Sequence, residues 1–344
     1  MADPGSDAPW SARIGHRTRA FLAAFCRACL CAAWPLLWAV SAQAQAQPAP
    51  KRIGFLGIDA RMQSMRLEAF REGLRRQGLV EGRDIVLDIL WADGFDRLPA
   101  LAAELVARKV DVIVTASPPA VRAVKDATRT IPLVVIFHDP VGQGFAESLA
   151  RPGGNLTGIA FQDSELSTKR VDLFRAVVPN LKRAVILWNR SGGTEDTVKA
   201  VEHAARVMGI ETRSVEIKAP EDLATAVAEG RAWGAQGVIQ LAAPFITFNR
   251  KLLLDALVRE RMPATCEMRL YVEEGCLMTY SADLSVMFRD TAPFVAAILR
   301  GTRPGDLPIQ QPAQFDFIVN LRTAETLGLR LAPDVRLQLT DAVR

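Results

Sequence analysis

Leu133-Val134-Val135-Ile136-Phe137-His138-Asp139-Pro140-Val141-Gly142-Gln143-Gly144 decides how the rest of the chain is read. Five apolar residues, three of them β-branched, have the length and composition of a parallel strand buried on both faces. A carboxylate follows at once, then a proline that fixes the turn and two glycines that permit close approach of backbone or ligand. In open α/β sheets ligands bind beyond the carboxyl ends of the strands, so Asp139–Gly144 is expected to form one wall of a cleft. A second turn-rich stretch, Arg151-Pro152-Gly153-Gly154-Asn155-Leu156-Thr157-Gly158, ends the unit and leads towards a crossover into a new series of elements.

Outward from this stretch the pattern is regular. Strands are expected at Arg52–Gly57, Ile85–Trp91 and Val110–Thr115, separated by helices carrying Leu67, Phe70 and Leu74, then Leu98, Leu101, Leu105 and Val106, and a third opening at Pro118-Pro119. The rhythm restarts with strands at Arg183–Trp188, Thr212–Ile217 and Gly237–Leu241, helices at Thr194–Met208, Ala219–Trp233 and Phe248–Arg261, and short strands at Pro263–Cys266 and Cys276–Tyr280. Strands alternating with helices mean βαβ units and parallel sheets. The 344 residues suffice for two such units. The tail holds a helix at Ser285–Leu299, a strand at Gln314–Asn320 and a short helix at Arg322–Leu327. Too few for a third domain, these elements should complete the first two, and a chain that revisits both lobes makes a hinge. The fold class is therefore α/β, two open parallel-sheet, Rossmann-like lobes joined by a multi-strand hinge. The expected lobes are 51–160 with 283–313, and 161–282 with 314–344.

Residues 1–44 read as a cleaved secretory signal. A basic region through Arg27 precedes the apolar run Ala28–Val40, and Ser41-Ala42-Gln43-Ala44 supplies the small residues of a cleavage site. Arg27 bounds that run and Pro35 interrupts it, and it is too short to serve as a membrane anchor. Half of the formal net charge of +4 sits in this leader, as Arg13, Arg17, Arg19 and Arg27 against Asp3 and Asp7. The near-neutral remainder gives no case for a nucleic-acid partner. Export places the protein in the periplasm. Of the cysteines beyond the leader, Cys266 and Cys276 can pair in an oxidising compartment. Ten residues spanning two strands argue against disulfide reach, so two separate thiols are the preferred reading.

No G-x-G-x-x-G follows the first strand, and there is no P-loop, no G-x-S-x-G and no metal-ligand pair at helical spacing, so neither cofactor nor metal is expected. His138 beside Asp139 offers a conceivable catalytic dyad, but neighbouring strand residues point to opposite faces. His203 is a solvated helix residue. Binding chemistry is better represented. Ser117 ends a strand and opens a helix, as a plain N-cap or as a hydroxyl beside free amides that suit an anion. Asn189 and Thr194 stand in the equivalent loop of the second series. Asp59, Pro244, Glu267 and Tyr280 also fall at or after strand ends.

The run Ile131–Gly142, then Ser148–Gly158, Glu165–Arg170, Val185–Asn189, Leu277–Tyr280, Asp306–Pro312 and Asn320–Ala324 resembles one group of ABC-transporter substrate-binding proteins, which includes the tryptophan/tyrosine-type binding proteins. The resemblance runs from Lys51 to the end. It implies the type I periplasmic-binding architecture, with three crossovers and ligand contacts on Ser117, Asp139 and Asn189. Two departures are the pair Gly275-Cys276, where the group has two glycines, and Thr279-Tyr280-Ser281, where it has Ser-Tyr-Gly. The expected function is an exported, monomeric solute-binding component of an ABC importer, with a small organic ligand and an inner-membrane permease as partners. An amino acid or aromatic acid would place its carboxylate at the Ser117 helix end and any amine at Asp139, unless Asp139 caps the turn at Gly142. The rival functions are an enzyme using Asp139 and His138 in the same cleft and the sensory domain of a regulator.

Overall fold

The structure is a computed structural model that describes residues 49–161, 163–190 and 195–344. The leader and Thr194 lie outside the described residues. Strand β4 (Leu133–His138) is buried along its whole length. It lies between β3 (Val112–Ala116) and β5 (Leu156–Phe161) in an all-parallel sheet whose order is β2 (Ile85–Trp91), β1 (Lys51–Gly57), β3, β4, β5. Side chains alternate across such a strand. Leu133, Val135 and Phe137 enter one core with helices α2 (Leu98–Ala107) and α3 (Pro118–Ala127). Val134 and Ile136 enter the opposite core with α1 (Ala60–Arg76). Each large side chain removed from water in this way contributes about 1.5–3 kcal/mol.

The second sheet runs β12 (Asp341–Val343), β11 (Asp316–Asn320), β10 (Met278–Ser281), β9 (Ala264–Cys266), β8 (Gly237–Gln240), β6 (Arg183–Trp188), β7 (Glu211–Glu216). Its faces are covered by α4 (Asp163–Val177) and α5 (Glu195–Val207) on one side, and α6 (Asp222–Ala232) and α8 (Arg250–Arg259) on the other. The pairing is parallel except between β10 and β11. That exception has a topological cause: β11 enters the sheet from the other lobe.

Residues 50–344 form one compact unit, and the chain passes between its sheets three times. After β5 it enters α4. After β10 it returns as α10 (Leu284–Asp290) and α11 (Ala292–Leu299), which bury Phe288, Val295 and Ile298 in one core with Phe55 of β1 and Phe70 and Leu74 of α1. Gly73 of α1 makes this possible, because a Cβ there would collide with the Arg289 carbonyl. The chain then runs along the edge of β5, where Gln310 receives the Ala160 amide and donates to the Gly158 carbonyl at 2.8 and 3.0 Å. From there it crosses to β11.

Several local expectations change. The single helix expected at Ser285–Leu299 is two, broken at Thr291 because Pro293 brings no amide and its ring crowds the preceding turn. The helix expected at Phe248–Arg261 is preceded by a separate short helix, α7 (Pro244–Phe248). Helix α9 (Arg269–Glu273), helix α13 (Pro333–Gln338), which follows α12 (Leu321–Thr326), and strand β12 were not expected, being too short for periodicity to register. Cys266 and Cys276 form a disulfide, with Cα atoms 6.7 Å apart. The expectation of separate thiols fails because α9 folds the intervening residues back, and Cys276 arrives beside the parallel neighbour β9.

Gly158 has φ +144° and lies against the Val135 backbone, into which a Cβ would be driven. Gly158→Ala is expected to cost about 2–4 kcal/mol in denaturant unfolding, from strain and overpacking together. Gly78→Ala, at φ +79° with open space around it, should cost only about 1 kcal/mol. Removing the disulfide with paired Cys266→Ser and Cys276→Ser substitutions should lower stability by about 2–3 kcal/mol, the loop-closure term for ten residues.

Candidate functional site

Strands β1, β3 and β4 of the first sheet and β8 and β9 of the second end at a common cleft of about 750 Å³, counting the space that opens to solvent. Its apolar walls come from Ile136 and Phe137 of β4 and Ile58 just after β1 on one side, and from Pro244 and Phe248 of the short helix after β8 and Met268 after β9 on the other, with Leu284 from the connection between them. Its polar side chains are Arg66, Ser117, His138, Thr247 and Glu267. A smaller recess of about 400 Å³ continues towards the hinge past Leu166, Arg170 and Ser281. Arg170 is fully buried there, and its Nε donates to the Tyr280 carbonyl at 3.1 Å. It thereby ties α4 to β10 just before the chain leaves the second sheet.

Ser117 is an unusual helix entry. Its backbone has φ 81°, ψ 145°, a region that costs a non-glycine residue of order 1–3 kcal/mol. A capping serine normally sits in the β region and accepts from the first turn, but this side chain makes no capping bond. Its Oγ is instead buried and has no hydrogen-bond partner among the described residues. Pro118 and Pro119 have no amides, the Ser117 amide donates to Ile136, and that of Val121 donates to Ser117. The first turn of α3 is left with the Ala120 amide as its remaining donor.

Arg66 projects from α1, and its guanidinium reaches Met268 Sδ at 3.6 Å. Burial lowers its pKa to about 10, opposed by the charges of Glu267, Asp283 and Asp59, so it stays cationic at neutral pH. Glu267 follows β9. Its amide donates to Gln240 Oε1 at 2.9 Å, and its carboxylate accepts from the Thr247 hydroxyl. Thr247 in turn accepts from the buried Tyr271 hydroxyl at 3.1 Å. Burial, and then the Glu267 charge, push the Tyr271 pKa well up, which keeps this phenol a donor.

Ser117, Pro244 and Glu267, expected from sequence at strand ends, line the cleft. Asp59 does not line it but acts on Arg66 through its charge. Asp139 is displaced from its expected place. With φ 41° the chain turns away, the side chain is exposed, and its carboxylate accepts from the Gly142 amide at 2.9 Å. The carboxylate therefore caps its own turn, and it does not converge with His138, which is buried and faces the cleft. Asn189 is also buried, donating to the Ile217 carbonyl at 2.6 Å, and it braces the edge of the second sheet. Tyr280 packs on Phe315 with ring centroids 5.8 Å apart. Neither lines the cleft. Sequence reasoning missed Arg66, Thr247, Phe248 and Met268. Arg66 did leave a signal, since it precedes Phe70 by one helical turn on the buried stripe of α1, a place where a cation is out of keeping. Among the described residues no group of three or more His, Cys, Asp or Glu side chains could hold a metal ion.

Residues 55–342 match the family of ABC transporter substrate binding proteins, and the chain belongs to that family. A tyrosine-binding protein of Clostridioides difficile is 23% identical over 274 residues, 76% of each chain. Among solved structures, the fold is similar to an ABC domain from Streptococcus pneumonia in complex with L-Trp (TM-score 0.80, 20% identity, 86% of this chain and 100% of that one). It is likewise similar to a conserved domain protein from Vibrio cholerae (TM-score 0.79, 24% identity, 85% and 99%). A ligand-free, open substrate-binding protein from Clostridium difficile matches at TM-score 0.66, with 20% identity over 86% and 100% of the two chains. These likenesses establish the type I periplasmic-binding fold.

If Ser117 holds strain and an unsatisfied hydroxyl, Ser117→Gly relieves both. The substitution is expected to stabilise the ligand-free protein by about 1–2 kcal/mol in urea titration, net of the glycine entropy cost. A loss of stability would refute the strain.

Proposed function

We propose that the chain is the exported solute-binding component of an ABC importer. It captures an amino acid or an aromatic or organic acid in the cleft between its lobes and acts by binding, without catalytic turnover. The observation that carries this reading is the cleft itself. It has largely apolar walls, a few polar groups that line it, and among them a strained serine whose buried hydroxyl has no hydrogen-bond partner among the described residues. Such a site suits a small ligand with one polar end and an apolar body. The tyrosine-binding relative and the L-Trp complex support an aromatic amino acid as the first compound to try.

The mechanism is closure about the three chain passages. We assign 51–160 with 283–313 to one lobe and 161–282 with 314–344 to the other. Among the described residues, contacts that bridge them include Arg66 to Met268 at the cleft and the rings of Phe95 and Phe248, with centroids 6.1 Å apart. Both exist only when the lobes are together, so a ligand touching both walls adds to them and shifts the population towards the closed form. The leader 1–44 would direct the mature monomer to the periplasm and be removed. There the protein would deliver its ligand to an inner-membrane permease, with no nucleic acid involved. No helix among the described residues is long and apolar enough to cross a membrane.

Calorimetry of the mature chain, stripped of carried-over ligand, against tryptophan, tyrosine, phenylalanine and simple aromatic acids tests the reading. At least one should bind with a Kd of about 1 μM or tighter, near −8 kcal/mol. Small-angle scattering should record a smaller radius of gyration on binding. Chemical conversion of the bound compound would point to an enzyme instead, and no binding by any of them would reject the ligand class.

A further inference from the structure

Arg66 lacks a salt bridge among the described residues, although it stays cationic at neutral pH. It lies on the buried stripe of α1, lines the cleft, and meets the opposite lobe through a thioether sulfur, a weak acceptor. Among the described residues no carboxylate pairs with it. Glu267 lines the same cleft, but its carboxylate is engaged by Thr247, and its backbone is held by Gln240. Arg66 is half-buried, and a guanidinium held partly out of water without an anion at bonding distance is costly; the cost falls when a carboxylate takes both ends of its planar fork.

The helix end at Ser117 does not compete for that role. Two prolines open α3, so its first turn has too few amides to hold an anion. Its one unengaged polar group on the cleft is the Ser117 hydroxyl, which donates a single hydrogen bond and no charge.

From these positions we infer that Arg66 is the specificity-determining residue of the cleft: it pairs with the carboxylate of the ligand, with Ser117 Oγ as a second donor. The ligand must then be a carboxylate with an apolar body, and an α-amine is not what anchors it. The inference rests on the solute-binding reading above. It moves the anionic end of the ligand from the α3 terminus to α1, and it leaves Asp139 no part in recognition.

The test uses the mature chain and three indole probes that differ only in their ends: tryptophan, indole-3-propionate with no amine, and tryptamine with no carboxylate. The native protein should bind the first two and bind tryptamine at least about 100-fold more weakly. Arg66→Met should lose at least about 30-fold for both acids, as expected for truncating one partner of a buried charge pair, and leave tryptamine unchanged. Arg66→Lys keeps the charge without the fork and should fall between. Circular dichroism confirms that each variant is folded. If Arg66→Met does not fold, the native ranking of the three probes and the Arg66→Lys titration still decide. Acids bound equally by native protein and Arg66→Met, or tryptamine bound as well as indole-3-propionate by native protein, would overturn the role of Arg66 and leave solute binding intact. Binding of none of the three would overturn the ligand class together with this inference.

Discussion

A parallel strand buried on both faces can present chemistry only at its ends, and β4 imposes this on the whole first lobe. Its side chains enter two cores alternately, one beneath α2 and α3 and the other beneath α1, α10 and α11. With both faces closed, the carboxyl ends of β1, β3 and β4 are where the sheet can meet a ligand. The second sheet is built on the same principle, and β6 divides its residues between two cores in the same way. The cleft is what remains when two such sheets bring their carboxyl ends together.

The tail converts two sheets into one device. Helices α10 and α11 return across the first core, residues 309–310 extend its edge, and β11 re-enters the second sheet antiparallel to β10. Each lobe is therefore incomplete without residues that the chain supplies last. Arg170, buried against the Tyr280 carbonyl, fixes α4 to the strand that leads into the second passage. The disulfide secures the segment that follows β9, next to Glu267 and Met268 in the cleft wall. Two packed sheets joined by three chain passages are the arrangement that the proposed hinge closure requires.

Ser117 and Asp139 show how far sequence carries a site. Both follow buried parallel strands, both stand before proline, and both adopt positive φ. Only the hydroxyl reaches the cleft; the carboxylate is spent on Gly142. The difference lies in backbone rotation over one residue, which no pattern of residue types records. Arg66 was missed for the opposite reason. Strand ends draw attention to loops, whereas this cation enters the cleft from within a helix, where charge is ordinarily assigned to solvent.

By itself the sequence determined the strand and helix alternation, the two-series architecture and the revisiting tail, because buried strands and amphipathic helices leave periodic signatures in residue type. It also placed Ser117, Pro244 and Glu267 at strand ends. Only the tertiary structure decided that Cys266 meets Cys276, that Asn189 bonds to the Ile217 carbonyl and Tyr280 packs on Phe315, and that Arg66 faces Met268 across the cleft. These are contacts between residues far apart in the chain or displaced by a short irregular segment. They depend on where each element comes to rest against the others, a relation that local periodicity does not encode.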